Sequence, residues 1–253
     1  MITLASDFGS PYPAAMRGVL CSRTDARLVD VAHDFPRQDV RTAAFWLREL
    51  LPTFPAAVHL AVVDPGVGTD RRPIVVTAGE HALVGPDNGL LLPAARALAE
   101  NDDGMDVSCY EIPVDDPEST TFHGRDVFAP AAAAVHETGL GSLDYPAVDD
   151  PVDLAFPEAT VRSDEARGEV LVVDGFGNAI TNVPGDFLAG RWGAYARVDG
   201  ERAPVARTYD AVEVDERLVT VGSHGNVELA VNRGRGDAAF GVEAGSRLRF
   251  ALP

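Results

Sequence analysis

Val62-Val63-Asp64-Pro65-Gly66-Val67-Gly68-Thr69-Asp70-Arg71-Arg72 is the stretch on which the reading of this chain turns. An apolar run, 58–63, has the look of a buried strand and ends in an aspartate. A stiff Pro-Gly turn follows, then two arginines, then a second apolar run at 74–77. In an open α/β sheet, ligands bind in the crevice beyond the carboxyl ends of the parallel strands. A carboxylate and a guanidinium a few residues apart at such an end mark a candidate site, with Asp64 and Arg71 as its first members.

Outward from this loop, strands and helices alternate. The run 2–6 reads as a strand ending in Ser6-Asp7-Phe8-Gly9, so Asp7 also stands at a strand's carboxyl end. A helix is expected over 13–22, with proline tolerated in its first turn, and a strand over 28–31. Val40, Ala43, Ala44, Leu47, Leu50 and Leu51 form one apolar stripe, predicting a helix over 39–51 capped by Asp39. This β-α-β-α-β order predicts a Rossmann-like domain with a mainly parallel sheet. Strands at 74–77 and 81–84, the turn Gly85-Pro86-Asp87-Asn88-Gly89, a helix over 91–99, a strand over 107–112 and a helix over 127–138 complete it. The Pro- and Asp-rich residues 144–155 read as a linker, placing the first domain at 1–155. In 156–253 the pattern changes to short β-rich runs at 169–173, 194–198, 218–221, 227–231 and 247–252, separated by Gly, Asn and Asp turns. That predicts a small C-terminal antiparallel β-barrel.

Composition narrows the class. The 253 residues are 46% hydrophobic, as in an ordinary globular protein. No apolar run approaches the roughly 18 residues needed to span a bilayer, and Met1-Ile2-Thr3-Leu4 enters a strand without a basic signal region. A soluble, cytoplasmic protein without membrane association is expected. Cys21 and Cys109 lack metal-ligand spacing and read as small buried apolar residues. All 21 basic residues are arginine, and the net charge is −18. Acidic pairs at Asp102-Asp103, Asp115-Asp116 and Asp149-Asp150 crowd expected turns. Such self-repulsion is screened by salt, which points to a halophilic protein, and so negative a field disfavours nucleic-acid partners.

Standard templates fail. Gly66-Val67-Gly68 lacks the third glycine of a dinucleotide fingerprint, and neither a P-loop nor a nucleophile elbow is present. Asn101-Asp102-Asp103-Gly104 reads as a solvated turn, not a metal cluster, so neither metal nor cofactor is expected. What remains is polar residues at element ends: Asp7, Asp64, Arg71, Asp87-Asn88, His123, Arg125, Asp174, Asn178, Asn182, Ser223 and Asn226. Each has a bland reading, such as a helix cap for Asp7, a turn for Asp87-Asn88, or a helix-start ion pair for Arg125-Asp126.

Taken together they resemble the S-adenosylmethionine hydroxide adenosyltransferase family, relatives of the S-adenosylmethionine-dependent fluorinases and chlorinases. The resemblance rests on Thr3-Leu4-Ala5-Ser6-Asp7-Phe8-Gly9, Val63-Asp64-Pro65-Gly66-Val67-Gly68-Thr69 with Arg71-Arg72, Gly85-Pro86-Asp87-Asn88-Gly89, Thr121-Phe122-His123-Gly124-Arg125-Asp126, Asp174-Gly175-Phe176-Gly177-Asn178 with Thr181-Asn182, and Gly222-Ser223-His224-Gly225-Asn226. It implies hydrolysis of S-adenosylmethionine to adenosine and methionine by attack of activated water at C5′, in a homotrimer with active sites between subunits.

It also implies roles. Asp64 and His123 would position and deprotonate water and Arg71 would stabilise the hydroxide, with Arg72 the less favoured alternative. Asp7 would hold the ribose hydroxyls, Phe176 stack on adenine and Asn178 bond its edge. Asp174 would hold the methionine ammonium and Ser223 the carboxylate. His224 departs from the halogenating relatives, which carry arginine there. A chlorinase-type halogenase is the rival enzyme, but there the position of Asp64 is a tyrosine, and a carboxylate repels an incoming halide. A non-catalytic S-adenosylmethionine or adenosine binding module would have no need of a water-activating trio.

Overall fold

A computed structural model describes residues 1–101, 106–114 and 121–253. Asp102-Asp103, Asp115-Asp116 and the turn beyond Asn101 lie outside them. The chain divides into two compact units, Met1–Ala155 and Phe156–Pro253.

In the first unit the elements are β1 (Ile2–Ser6), α1 (Tyr12–Cys21), β2 (Leu28–Ala32), α2 (Val40–Leu50), β3 (Val58–Val62), β4 (Pro73–Ala78), β5 (His81–Pro86), α3 (Leu92–Asn101), β6 (Val107–Glu111) and α4 (Ala129–Thr138). The six-stranded sheet runs β2-β1-β3-β5-β4-β6. β1 pairs in parallel with β2 and β3, and β3 with β5, whereas β4 is antiparallel to both β5 and β6. The parallel core matches expectation. The antiparallel insertion follows from the two-residue Gly79-Glu80 connection, since Ala78 pairs with His81 and no crossover fits so short a link.

Every residue of β1 and β3 is buried, as expected of central parallel strands covered on both faces. Ile2, Leu4, Leu60 and Val62 share a core with Met16 and Leu20 of α1 and with Ala132 and Val135 of α4. In α2, Asp39 caps through Thr42 N–H at 2.9 Å. Phe45 is fully buried there while Val40 and Leu50 are only half-buried, so the stripe is rotated slightly from the predicted one. Gly85 is where β5 comes close to β3: a Cβ there would lie 2.2 Å from the Ala61 carbonyl oxygen.

Residues 144–155 are not a free linker. Arg72 donates to Asp150, Val152 N–H donates to Asp87 at 2.7 Å, Asp153 pairs with Arg96 at 2.8 Å, and Val148 N–H reaches the Cys109 carbonyl. The aspartates that look like linker residues in sequence are the anchors of a strap. Cys21 also departs from expectation, being exposed, whereas Cys109 is buried.

The second unit holds β7 (Thr160–Val161), β8 (Glu165–Val173), β9 (Ala179–Pro184), β10 (Tyr195–Val198), β11 (Glu201–Pro204), β12 (Arg217–Val221), β13 (Asn226–Val231), the five-residue α5 (Gly236–Phe240) and β14 (Arg247–Ala251). The strands run β11-β10-β14-β8-β9-β13-β12, with β7 beside β8, all antiparallel. A bridge from Val205 to Val219 brings the two ends of the order together, so the sheet is a nearly closed barrel. Alternating residues such as Ala196, Val198, Leu248 and Phe250 fill its interior. β7, β9 and β11 go beyond the strands that the sequence pattern predicts: in β9 Asn182 and Pro184 interrupt the β-branched Ile180, Thr181 and Val183, Glu-Arg-Ala-Pro of β11 carries weak strand preference, and pairing to neighbours supplies what propensity does not.

Candidate active site

The strand order places a switch point between β1 and β3. The chain leaves β1 for β2 on one side and returns as β3 on the other, with Ser6 opposite Val62 at the shared carboxyl edge. Asp7 and Asp64 therefore enter the same crevice, where open α/β sheets bind ligands.

A cavity of about 510 Å³ lies there, lined by Asp7, Tyr12, Gln38, Asp64, Phe122 and His123 among others. At its wall Asp64 and Arg71 form a two-point ion pair. Arg71 Nε donates to Asp64 Oδ1 at 3.1 Å and Nη2 donates to Oδ2, and the side chains are only 4% and 8% exposed. Gly66 N–H also donates to Asp64 Oδ1, and Arg71 Nη1 donates to the Arg72 carbonyl. Arg71 Nη2 donates in addition to His123 Nδ1 at 3.2 Å, and the guanidinium lies over the Phe128 ring, 5.2 Å from its centre. A guanidinium cannot accept, so Nδ1 of His123 is the unprotonated ring nitrogen. Burial and then the neighbouring Arg71 charge lower the His123 pKa, against smaller opposing effects of Asp64 and Asp126. The ring is thus held neutral with its proton on Nε2.

His123 caps a short π-helical stretch, Gly124–Phe128, that leads into α4. Gly124 is wedged there, since a Cβ would meet Met16, Phe8 and Phe122 at 3.0–3.2 Å. Arg125 pairs with Asp126 and lies over Phe122, the helix-start arrangement. Asp7 is 8% exposed. Its Oδ2 accepts from Gln38 N–H at 2.7 Å, and Gln38 takes a left-handed φ of 61° to present that N–H. Oδ1 of Asp7 has no partner among the described residues.

Arg72 stands apart from this trio. It bonds Asp87 at 2.9 Å, and Asp150 through both carboxylate and carbonyl. Asn88 donates to the Val63 carbonyl at 2.9 Å. The Gly-Pro-Asp-Asn-Gly segment therefore braces the strap and the β3 loop and does not line the cavity.

The remaining predicted residues gather in the barrel unit. A cavity of about 870 Å³ is lined by Asp174, Phe176, Asn178, Ser223 and His224, together with Tyr209, Glu228 and Arg233. Phe176 is 81% exposed, on a loop built by Asp174. Asp174 Oδ1 accepts from the N–H groups of Phe176 and Asn178, and Oδ2 from Asn178 Nδ2 at 3.0 Å. Ser223 and His224 are 3.4 Å apart through Oγ and Nε2. Asn182, by contrast, is structural: it accepts from Glu169 N–H and donates to the Pro157 carbonyl. Tyr12, Gln38, Tyr209 and Glu228 are cavity residues that carry no signal in the sequence. Glu228 sits within an alternating strand pattern, where a lone acid looks like an outward-facing residue.

A Rossmann-like unit with a buried Asp-Arg-His cluster at its switch point, joined in sequence to a β-barrel unit, defines the class. The family model for the N-terminal domain of S-adenosylmethionine hydroxide adenosyltransferases matches residues 2–143, and that for the C-terminal domain matches 168–249. The chain belongs to this family. A protein of Salinispora tropica named (R)-S-adenosyl-L-methionine hydrolase is 43% identical over 98% of this chain and 96% of its own length. One of the same name from Thermus thermophilus is 42% identical over 97% of each. A solved structure from Thermotoga maritima superposes with a TM-score of 0.85 at 32% identity, covering 99% of this chain and all of the other. A solved structure from Thermus thermophilus gives 0.76 at 38% identity, over 100% of this chain and 99% of the other.

Proposed function

We propose that this protein hydrolyses S-adenosyl-L-methionine to adenosine and L-methionine, with preference for the (R) sulfonium epimer named in its relatives. The observation that carries the reading is the buried Asp64–Arg71 pair with His123 on the other Nη2 hydrogen. The sulfonium is already a good leaving group, so the difficulty lies in supplying an oxygen nucleophile; bulk water has a pKa of about 15.7. Asp64 Oδ2, with one bond from Arg71, keeps a lone pair for a water proton. Arg71 stays charged and stabilises the hydroxide as it forms. His123, neutral and protonated on Nε2, orients the water oxygen; on this geometry it is a donor and Asp64 is the base. The oxygen bonds to C5′ as the C5′–S bond breaks, sulfur leaves with the bonding pair as the methionine thioether, and the proton passes through Asp64 to solvent.

Asp7, with Oδ1 uncommitted, suits the ribose diol, and Phe176 with Asn178 suits adenine. The same reading includes a homotrimer in which a neighbouring subunit completes each site, a cytoplasmic location and no nucleic-acid partner. Tyr12 at 57% and Phe176 at 81% exposure leave aromatic edges for a neighbour to cover. Sedimentation as a 26.8 kDa monomer would remove the trimer.

The test is incubation with each sulfonium epimer in chloride buffer and mass spectrometry of the products. Adenosine and methionine from the (R) epimer are expected, and 5′-chloro-5′-deoxyadenosine overturns the proposal. Asp64→Asn should lose about 10²–10⁴-fold in kcat with adenosine binding retained. Wild-type turnover in that variant removes Asp64 as the base.

A further inference from the structure

Asp7 sits in the loop between β1 and α1, and both flanks of that loop are tied to one imidazole, His33. Ser6, the last residue of β1, is fully buried, and its Oγ lies 2.8 Å from Nδ1 of His33. The other ring nitrogen, Nε2, lies 3.2 Å from Oδ1 of Asp30 on β2. The same Asp30 oxygen accepts from Arg17 of α1, beyond the loop. An ionised carboxylate only accepts, so Nε2 of His33 carries a hydrogen. Burial opposes the charge on Asp30, but the bonds from His33 and Arg17 outweigh it and lower its pKa. Main-chain groups join the same segments. Gly9 N–H donates to the His33 carbonyl at 2.7 Å, and Gln38 N–H donates to Asp7 Oδ2.

A defect in the sheet makes this relay possible. β1 and β2 pair in parallel, but Leu4 faces Asp30 and Ala5 faces Ala32, which leaves Val31 as an extra residue in β2. Residues three apart on a regular strand point to opposite faces, and one extra residue re-aims those beyond it. Asp30 and His33 thereby come within bonding distance of each other. A carboxylate that binds a ligand works only if its own support fixes it to within a fraction of an ångström. Resting on the reading of Asp7 as the ribose ligand, we propose that His33 is a positioning residue for the Asp7 carboxylate. Through Ser6 on one flank and Asp30 with Arg17 on the other, it aligns Asp7 with the 2′- and 3′-hydroxyls. His33 does not itself line the cavity and touches no reacting atom.

Adenosine and 2′,3′-dideoxyadenosine separate this role from general support of the fold, since only the first presents a diol to Asp7. His33→Phe keeps an aromatic ring and removes both ring bonds, and Ser6→Ala removes the hydroxyl alone. Each should weaken adenosine by roughly threefold to tenfold in calorimetric Kd and leave dideoxyadenosine at its wild-type Kd. In an Asp7→Ala background neither substitution should weaken adenosine further, because residues acting as one unit are not additive. Equal losses for both nucleosides, or a full additional loss beside Asp7→Ala, make His33 merely structural and overturn the proposal. Wild-type adenosine affinity in a variant that melts like wild type also overturns it. Should His33→Phe fail to fold, Ser6→Ala decides by the same criteria. Undiminished adenosine binding in Asp7→Ala alone removes the ribose reading, and this inference with it. Formation of adenosine and methionine by the wild-type protein tests the hydrolase reading separately.

Discussion

Arg71 and Arg72 are neighbours in sequence and carry out different tasks. Arg71 is enclosed between Asp64, His123 and Phe128, while Arg72 points the other way and ties Asp87 to Asp150. Both lie in the loop just before β4, and their different partners separate them. Arg71→Gln is therefore expected to lower kcat/KM by about 10²–10³-fold, the cost of removing a charged stabiliser from a transition state. Arg72→Gln should leave kcat within about threefold and lower stability by about 1 kcal/mol, a modest figure because this guanidinium is partly solvated. Steady-state kinetics and urea unfolding of both variants check the division, and the reverse pattern would exchange the roles. The family resemblance favoured Arg71 and left Arg72 as the alternative stabiliser; the bonds of Arg72 to Asp150 were not legible, because Asp150 lies in a stretch that resembles a linker.

At the scale of the element, β3 carries the site at one end and a buried histidine at the other. His59, 1% exposed, bonds Thr3 Oγ1 at 2.8 Å through Nδ1 and His81 Nδ1 at 2.9 Å through Nε2, and stacks on His81. Burial, with a smaller push from His81, lowers its pKa to about 3 from an ordinary 6.5. The unfolded chain then binds a proton that the native state does not between those two values, so stability rises with pH across the window. The contribution is fully present above about pH 6.5 and is lost as pH falls toward 3, at up to about 1.4 kcal/mol per unit. His59→Phe should cost stability at about pH 7.5, and the gap from wild type should narrow by about pH 4.5. Urea unfolding at the two values tests it, and a constant gap refutes it. The elements of the first unit were largely legible because apolar stripes and runs show the period of helix and strand. β9 and β11 were not: Asn182 and Pro184 interrupt the β-branched residues of β9, and Glu201–Pro204 forms a strand by pairing with β10 at the end of the strand order.

For the molecule as a whole, charge is the governing quantity. A net −18 with arginine as the only strong base produces self-repulsion that added salt screens. Ion pairs such as Arg17–Asp30, Arg96–Asp153 and Arg249–Glu165 are exposed and contribute little in compensation. The melting temperature should rise by several degrees or more between dilute buffer and molar potassium chloride, measured by calorimetry. Equal stability in both would show that the acidic surface is a matter of composition only. Among the described residues no helix is long and apolar enough to cross a membrane.

The sequence by itself determined the α/β alternation and the barrel-like β pattern, and through the resemblance of its motifs it pointed to the family and to Asp64, Arg71 and His123 as candidate residues. Hydrophobic period and residue type are local properties, so they survive without coordinates. Only the tertiary structure decided that β4 runs antiparallel, that 144–155 is a strap, that His123 receives a hydrogen bond at Nδ1, and that Glu228 is buried at the barrel cavity on the Tyr209 hydroxyl. Each of these depends on which distant groups meet, and hydrogen-bond partners and burial are properties of the folded contact, not of the chain.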